Sequence, residues 1–126
     1  MEEKEESLRI GIFTDIIGNG GETEMNILGR DRAIDEFYHY RTEAGVQTLY
    51  EIINKFPQGT EIVFSNMNKV IRGIKQLVEL VEYINYKKGM DVTFVEDNFS
   101  TLNPWNKDEM MMMRLMIIIN NRLMRK

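Results

Sequence analysis

Glycines that follow the first apolar run of the sequence are of the type that binds phosphate groups. Gly18, Gly20 and Gly21 surround Asn19, and the backbone N–H groups of such a loop can cradle a phosphate. The dinucleotide fingerprint and the Gly-Lys-Ser/Thr ending of a nucleotide-binding loop are both missing. The pattern therefore favours a flexible loop, with small-molecule binding at this loop as an alternative function.

The other polar residues form no familiar catalytic set. The single histidine, His39, has no evident serine or carboxylate partner, which favours a surface or half-buried residue over a catalytic one. A phosphorylation receiver needs paired carboxylates after its first strand, where this chain has the lone Asp15. The absence of cysteine excludes thiolate chemistry and Cys-ligated metals and favours a reducing compartment. We predict no metal, no cofactor and a cytoplasmic protein.

Charge is unevenly distributed along the chain. The 126 residues carry a net charge of −4, and residues 1–7 form an acidic tail. From residue 114 onward the chain has no acid and carries four cations, which are Arg114, Arg122, Arg125 and Lys126. The remainder is therefore strongly acidic. This asymmetry predicts weak association with DNA through the basic end, or only a solvated helix end, where cations are favourable.

The apolar runs predict an α/β fold with a mostly parallel sheet and flanking helices. Three short runs rich in β-branched residues predict buried strands at Leu8–Phe13, Gly59–Phe64 and Met90–Val95. Helical patterns separate them, one over residues 46–56 behind a candidate N-cap at Thr42, the other over residues 70–84. Strand, helix and strand in this order indicate right-handed crossovers between parallel strands.

One segment of this domain, residues 18–40, does not favour a single structure. Beyond the glycines, it suits either a helix around Ile34 and Phe37 or an edge strand made by the sequence DEFYHY. Both alternatives stay open.

The last helix is predicted to begin at Asn103-Pro104, a favourable N-cap followed by a residue tolerated at the first helical position. Its apolar residues cover nearly every side, so it must be buried on two sides. One side can pack on its own domain, and the other predicts a homodimer with contacts from Met110, Met113, Ile117 and Leu123. A central helix surrounded by its own chain is the alternative. Its apolar run is too short to cross a membrane, so no membrane span is predicted.

The segment from Gly59 to Thr101 has the order of features of a known family. The sequence GTEIVFSNMNKVIRGIKQLVELVEYINYKKGMDVTFVEDNFST contains a strand, a polar cluster, an apolar helix, a glycine turn, another strand and an acidic turn, before NPWNKDEM opens the last helix. This order resembles the catalytic domain of the resolvase/invertase serine recombinases, and Arg9-Ile10-Gly11 resembles the opening of its first strand. The resemblance implies a resolvase-like α/β domain over residues 8–103 and a long dimerisation helix over residues 104–126.

The family breaks and rejoins DNA by attack of a serine on a phosphate, and the residues for this chemistry are mostly replaced. Its Tyr-x-Arg-x-Ser positions hold Ile12, Thr14 and Ile16, so the nucleophile is missing. Its Asp-Arg-x-x-Arg cluster is represented by Asn68, Lys69 and Arg72, of which only the last keeps the family type. Phosphodiester attack needs an activated hydroxyl and guanidinium forks that lysine cannot reproduce. We therefore expect an inactive module that dimerises or associates with DNA; the alternative is an active recombinase with rearranged residues, including Thr14 as the hydroxyl.

Overall fold

The structure is a computed structural model that describes residues 8–14, 22–71 and 73–124, with side chains except those of Glu22 and of residues 118–124. Its centre is a five-stranded sheet in the order β2-β1-β3-β4-β5. The strands are β1 (Arg9–Phe13), β2 (Glu36–His39), β3 (Glu61–Phe64), β4 (Asp91–Phe94) and β5 (Phe99–Ser100). The first four are parallel and β5 is antiparallel to β4, which confirms the predicted mostly parallel sheet.

Helices flank this sheet. The described residues form α1 (Glu22–Leu28), α2 (Val46–Ile53), α3 (Met67–Val70), α4 (Ile74–Glu82) and α5 (Pro104–Met124). A 3-10 turn at Thr42–Ala44 precedes α2, and a π-helical turn at Tyr83–Lys87 continues α4. No helix in the described ranges has an apolar stretch long enough to cross a bilayer.

One face of the sheet carries the main core. Side chains alternate between the two faces of a strand, and six of those on this face are completely buried, namely Ile10, Ile12, Ile62, Phe64, Val92 and Phe94. Leu49 and Ile53 of α2 and Leu80 of α4 cover them. Each fully buried side chain of this size stabilises the fold by about 1.5–3 kcal/mol, so this layer anchors α2 and α4 to the strands.

The opposite face is smaller and lies under α1. Leu28 is completely buried there, above Gly11, where an added Cβ would come within 3.0 Å of the Leu28 Cδ1. The absence of a side chain at Gly11 thus allows α1 to approach the sheet closely.

A buried ionic network occupies the amino-terminal end of this smaller face. The Glu61 carboxylate accepts hydrogen bonds from Arg9 Nε at 3.0 Å, Arg32 Nη2 at 2.7 Å and Thr93 Oγ1 at 2.6 Å. Arg9 also donates from its backbone N–H to Asp35 and from Nη1 to the Arg32 carbonyl. These bonds fasten the connection between α1 and β2 to the strands β1, β3 and β4.

The first of the two predicted helices has a different N-cap from the one expected. α2 begins at Val46, where its apolar pattern begins, but Thr42 belongs to the 3-10 turn and is not its N-cap. Gly45 stands between them with φ of 97°, a conformation that glycine adopts without a Cβ penalty. The glycine therefore separates the turn from the helix.

The helix predicted over residues 70–84 is interrupted. α3 ends at Val70, Ile71 is extended with φ of −152°, and α4 starts at Ile74. The Asn66 side chain accepts a hydrogen bond from the Lys69 backbone N–H and so caps α3 as a separate short helix. This correction places the polar cluster on its own turn, ahead of the apolar helix.

The described part of the segment 18–40, for which the sequence favours no single structure, contains both a helix and a strand. Residues 36–39 form β2 at the edge of the sheet, as the strand alternative predicted, and a helix around Ile34 and Phe37 is wrong. α1 precedes the strand. The glycines 18–21 lie outside the described residues.

The last helix, α5, begins at Pro104 as predicted, and the Asn103 side chain accepts a hydrogen bond from the Trp105 backbone N–H at 3.0 Å. Its inner face packs on the domain through Met110, which is 4% exposed, with Met113 and Ile117 partly buried beside it. Arg114 forms an ion pair of 2.8 Å with Glu82 of α4. The long helix is therefore attached to its own core over its first turns.

Candidate functional site

The carboxyl ends of the parallel strands meet at one edge of the sheet, where open α/β sheets bind ligands. Thr14 follows β1, Tyr40 follows β2 and Ser65 follows β3. The helix α3 starts at Met67, two residues after Ser65, and carries two positions of the predicted polar cluster, Asn68 and Lys69. Chain topology thus brings together at this edge residues from distant parts of the sequence.

A buried carboxylate on α1 holds two of these hydroxyl residues. Glu24 is 3% exposed, and its Oε2 accepts a hydrogen bond from Ser65 Oγ at 2.8 Å. Its Oε1 accepts one from the Thr14 backbone N–H at 3.1 Å, and the Thr14 hydroxyl lies 3.5 Å from Oε2. Sequence analysis missed Glu24 because its position in α1 gave no readable periodicity.

This arrangement positions the backbone better than it activates a nucleophile. A carboxylate beside a hydroxyl is the geometry of a general base, but effective proton transfer needs a distance of about 2.6–3.2 Å. Ser65 meets that distance and is only 1% exposed, so a substrate does not reach it. Thr14 is more accessible and lies at the longer distance. Glu24 therefore acts as an anchor that joins α1 to the ends of β1 and β3.

An open cleft of about 560 Å³ lies at the same edge. Its lining comes from the turn before α2 and from α3, with Tyr40, Thr42, Glu43, Asn68, Lys69, Val70 and Ile71 around it. Asn68 and Lys69 are exposed on the first turn of α3. The structure thus places two of the three predicted cluster residues in one cleft; Arg72 lies outside the described residues.

The electrostatics of this cleft are mixed. Glu43 contributes a carboxylate whose pKa is lowered by its backbone hydrogen bond and by the Arg41 guanidinium, 3.2 Å away. Burial raises the pKa of the Tyr40 phenol, so that ring remains neutral. Lys69 supplies a positive charge to the lining of the same cleft. A strongly anionic ligand therefore meets both attraction and repulsion here.

The loop from Asn66 onward is held by acids that follow β4. Asn66 Nδ2 donates to Glu96 Oε1 at 2.8 Å, and the Met67 backbone N–H donates to Asp97 Oδ2 at 2.7 Å. These contacts fix the first turn of α3 relative to the sheet. Across the described ranges, no group of three or more His, Asp or Glu side chains is arranged to hold a metal ion.

Other predicted site residues lie in several places. Ile12 is completely buried in the core, and Ile16 falls outside the described residues. His39 stacks on Phe13, with ring centroids 5.1 Å apart, and touches no catalytic set among the described contacts. The described part also excludes the side chains of Arg122 and Leu123, and Arg125 and Lys126 entirely.

The predicted dimer residues partly serve the monomer. Met110 belongs to the core of its own chain, and Met113 and Ile117 are partly buried beside it. The free apolar face of α5 lies on the other side of the helix. Its members, here called the outer stripe, are Met111, Met112, Leu115 and Met116, each half exposed or more.

Comparison with known proteins agrees with this architecture. No protein-family model and no curated protein matches the sequence. Among solved structures, the chain is similar to the N-terminal catalytic domain of TP901-1 integrase, with a TM-score of 0.72 and 12% sequence identity over 92% of this chain and 98% of that chain. This chain therefore shares the fold of that catalytic domain, which confirms the predicted α/β fold and, at the level of the fold, the predicted resemblance.

Proposed function

We propose that this chain is a recombinase-fold module that assembles with a second copy through α5 and associates with DNA, without exchanging DNA strands itself. The observation that carries the proposal is the carboxyl edge of the sheet. There the strands and α3 are present, while the predicted alignment has most of the family's catalytic groups replaced.

The described residues at this edge do not supply the groups that DNA strand exchange requires. Attack on a phosphodiester needs an activated hydroxyl and cations that grip the pentavalent phosphate in a bidentate manner. Lys69 is a point charge without the planar fork of arginine, and Asn68 is neutral. The Thr14 hydroxyl lies 3.5 Å from Glu24 Oε2. In enzymes that depend on one nucleophile, its loss alone costs on the order of a millionfold in rate.

A covalent-trapping experiment tests the inactive state. The chain is incubated with supercoiled recombination-site DNA, and protein–DNA adducts are separated under denaturing conditions. We expect no adduct. An adduct that Thr14→Ala abolishes and Ser65→Ala preserves would overturn the proposal and establish an active recombinase with a rearranged nucleophile.

Assembly through α5 is supported by the outer stripe. Its four large apolar side chains are exposed along successive turns, and contiguous apolar patches above a few hundred Å² are uncommon on stable monomers. A second copy covers such a stripe by an isologous contact, in which the same surface is used on both chains. Sedimentation over a range of concentrations tests this step, and a chain that stays monomeric at high micromolar concentration contradicts it.

A further inference from the structure

A groove runs between α4 and α5 on the side of the domain next to the outer stripe. Val81 and the buried Met110 form its floor, and Tyr86 and Met111 lie on its walls. Tyr86 belongs to the π-helical turn after α4 and is 70% exposed. Single π turns inside helices occur frequently at functional sites, and this one contributes Asn85 and Tyr86 to the lining of the groove.

The size of the groove suits one aromatic side chain. Its volume is about 220 Å³, compared with about 150 Å³ for an apolar cavity that binds benzene in another protein. An indole ring is larger than benzene and smaller than a helix turn. The groove therefore takes a single large ring better than a whole secondary-structure element.

Trp105 is the most exposed aromatic side chain among the described residues. It is the single tryptophan of the chain, and it is 77% exposed on the first turn of α5. At 100° per residue it shares a helix side with Met112 and Met116 of the outer stripe. It projects away from the groove of its own chain, which it does not line.

The charges around the ring and the groove are complementary. Asp108 and Glu109, three and four residues after Trp105, flank it on the helix surface. Lys107 and Arg114 line the groove. Arg114 already pairs with Glu82, so Lys107 is the cation that a second chain meets first.

We infer that Trp105 of one copy inserts into the α4–α5 groove of a second copy, and that the exchange is reciprocal. This inference rests on the proposed assembly through α5 and names the contact that holds it. Met111 belongs to both the groove and the outer stripe, so the two surfaces form one continuous interface. Large aromatic residues filling a partner's pocket are typical energetic centres of such interfaces.

Tryptophan fluorescence measures this contact directly, because every tryptophan signal of the chain comes from Trp105. Emission and acrylamide quenching are followed on the wild-type chain across the concentrations at which sedimentation gives monomer and dimer. We expect a blue shift and reduced quenching in the dimer, reversed on dilution. A dimer in which Trp105 stays fully quenchable overturns the inference alone, and a chain that never dimerises overturns the proposed assembly with it.

Two variants test the partners of the contact. Trp105→Ala should weaken dimerisation at least about tenfold, with an unchanged melting temperature of the monomer because the ring is exposed there. Lys107→Glu should weaken dimerisation several-fold, because the new carboxylate would face the acidic residues that flank the inserted Trp105 ring. The Trp105 ring should then be exposed to water again. Lys75→Glu, an exposed charge reversal in the first turn of α4, is the matched control and should change neither the dimerisation nor the Trp105 fluorescence. Equal effects of the two lysine variants would contradict the inferred contact.

Discussion

At the scale of single residues, two buried carboxylates hold the smaller face of the sheet. Glu24 joins α1 to the carboxyl ends of β1 and β3. Glu61 joins the connection between α1 and β2 to the amino-terminal end of the sheet. Leu28 is the completely buried apolar side chain that α1 contributes. The attachment of α1 thus depends on polar bonds more than the attachment of α2 or α4 does.

Replacing Glu61 with glutamine should reveal this dependence. The variant keeps the shape of the side chain but leaves the Arg9 guanidinium, whose side chain is 7% exposed, without its counter-charge. Removing one partner of a buried ion pair is strongly destabilising, so we expect the free energy of unfolding in urea to fall by about 3 kcal/mol.

The control for that variant is Glu43→Gln, which removes an exposed carboxylate paired with Arg41. It should leave the urea midpoint unchanged, because exposed ion pairs contribute little. If the two variants unfold at the same urea concentration, the buried network does not stabilise the fold.

Gly11 sets the distance between α1 and the sheet. In Gly11→Ala the new Cβ would lie 3.0 Å from Leu28 Cδ1, 3.1 Å from Phe37 Cδ1 and 3.2 Å from Ile34 Cγ2. Overpacking of this kind typically costs about 1–3 kcal/mol, which thermal or urea unfolding measures. Gly29→Ala, whose nearest neighbour would be at 3.8 Å, is the matched control and should be tolerated. An unaltered Gly11→Ala protein would mean that α1 moves away without cost.

At the scale of elements, α5 divides its apolar residues between two sides. Adjacent methionines have different surroundings: Met113 is partly buried against the core, and Met112 is 59% exposed. The helical repeat of 3.6 residues per turn separates neighbours by about 100° around the axis. The four consecutive methionines therefore contribute to two different sides of α5, one buried and one exposed.

Aspartate at each of these two positions should separate folding from assembly. Met113→Asp places a carboxylate against apolar neighbours, so we expect a lower free energy of unfolding. Met112→Asp leaves the carboxylate in water in the monomer, so we expect a normally folded chain that no longer dimerises. Urea unfolding and sedimentation of both variants measure the two effects. A Met112→Asp chain that still dimerises would exclude the outer stripe as the interface.

At the scale of the whole molecule, the uneven distribution of charge sets what we expect of the proposed association with DNA. The residues from 114 onward are basic, whereas the rest of the chain is acidic. One of the four cations, Arg114, forms an ion pair with Glu82. We expect binding that is weak, tolerant of sequence and steep in salt. For three phosphate contacts, affinity should fall roughly 40-fold between about 50 and 200 mM salt. Titrations of a fluorescent duplex at several salt concentrations measure this slope.

Arg122→Ala combined with Arg125→Ala should reduce that slope by about 2, since each lost phosphate contact removes about 0.9. Lys87→Ala with Lys88→Ala, at the end of the π-helical turn, is the control and should leave it unchanged. Binding unaffected by the arginine pair would show that the basic end is only a solvated helix terminus.

The sequence by itself determined the parallel sheet, its three buried strands and the beginning of the long helix. The apolar residues of β3 (Glu61–Phe64) and the Asn103-Pro104 start of α5 are local signals, since periodicity and capping act within a few residues. The order of these elements was enough to identify the resemblance in fold, and it predicts that Asn68 and Lys69 occupy positions of the family's polar cluster.

Only the tertiary structure decided which residues these elements bring together. Glu24 reaches Ser65 across 41 positions of sequence, and no local pattern marks such a pair. The division of α5 into an inner side at Met110 and an outer stripe depends on where α4 lies. An apolar residue is equally suited to its own core or to a partner, because the hydrophobic effect is non-directional; the packing of the domain chooses between them.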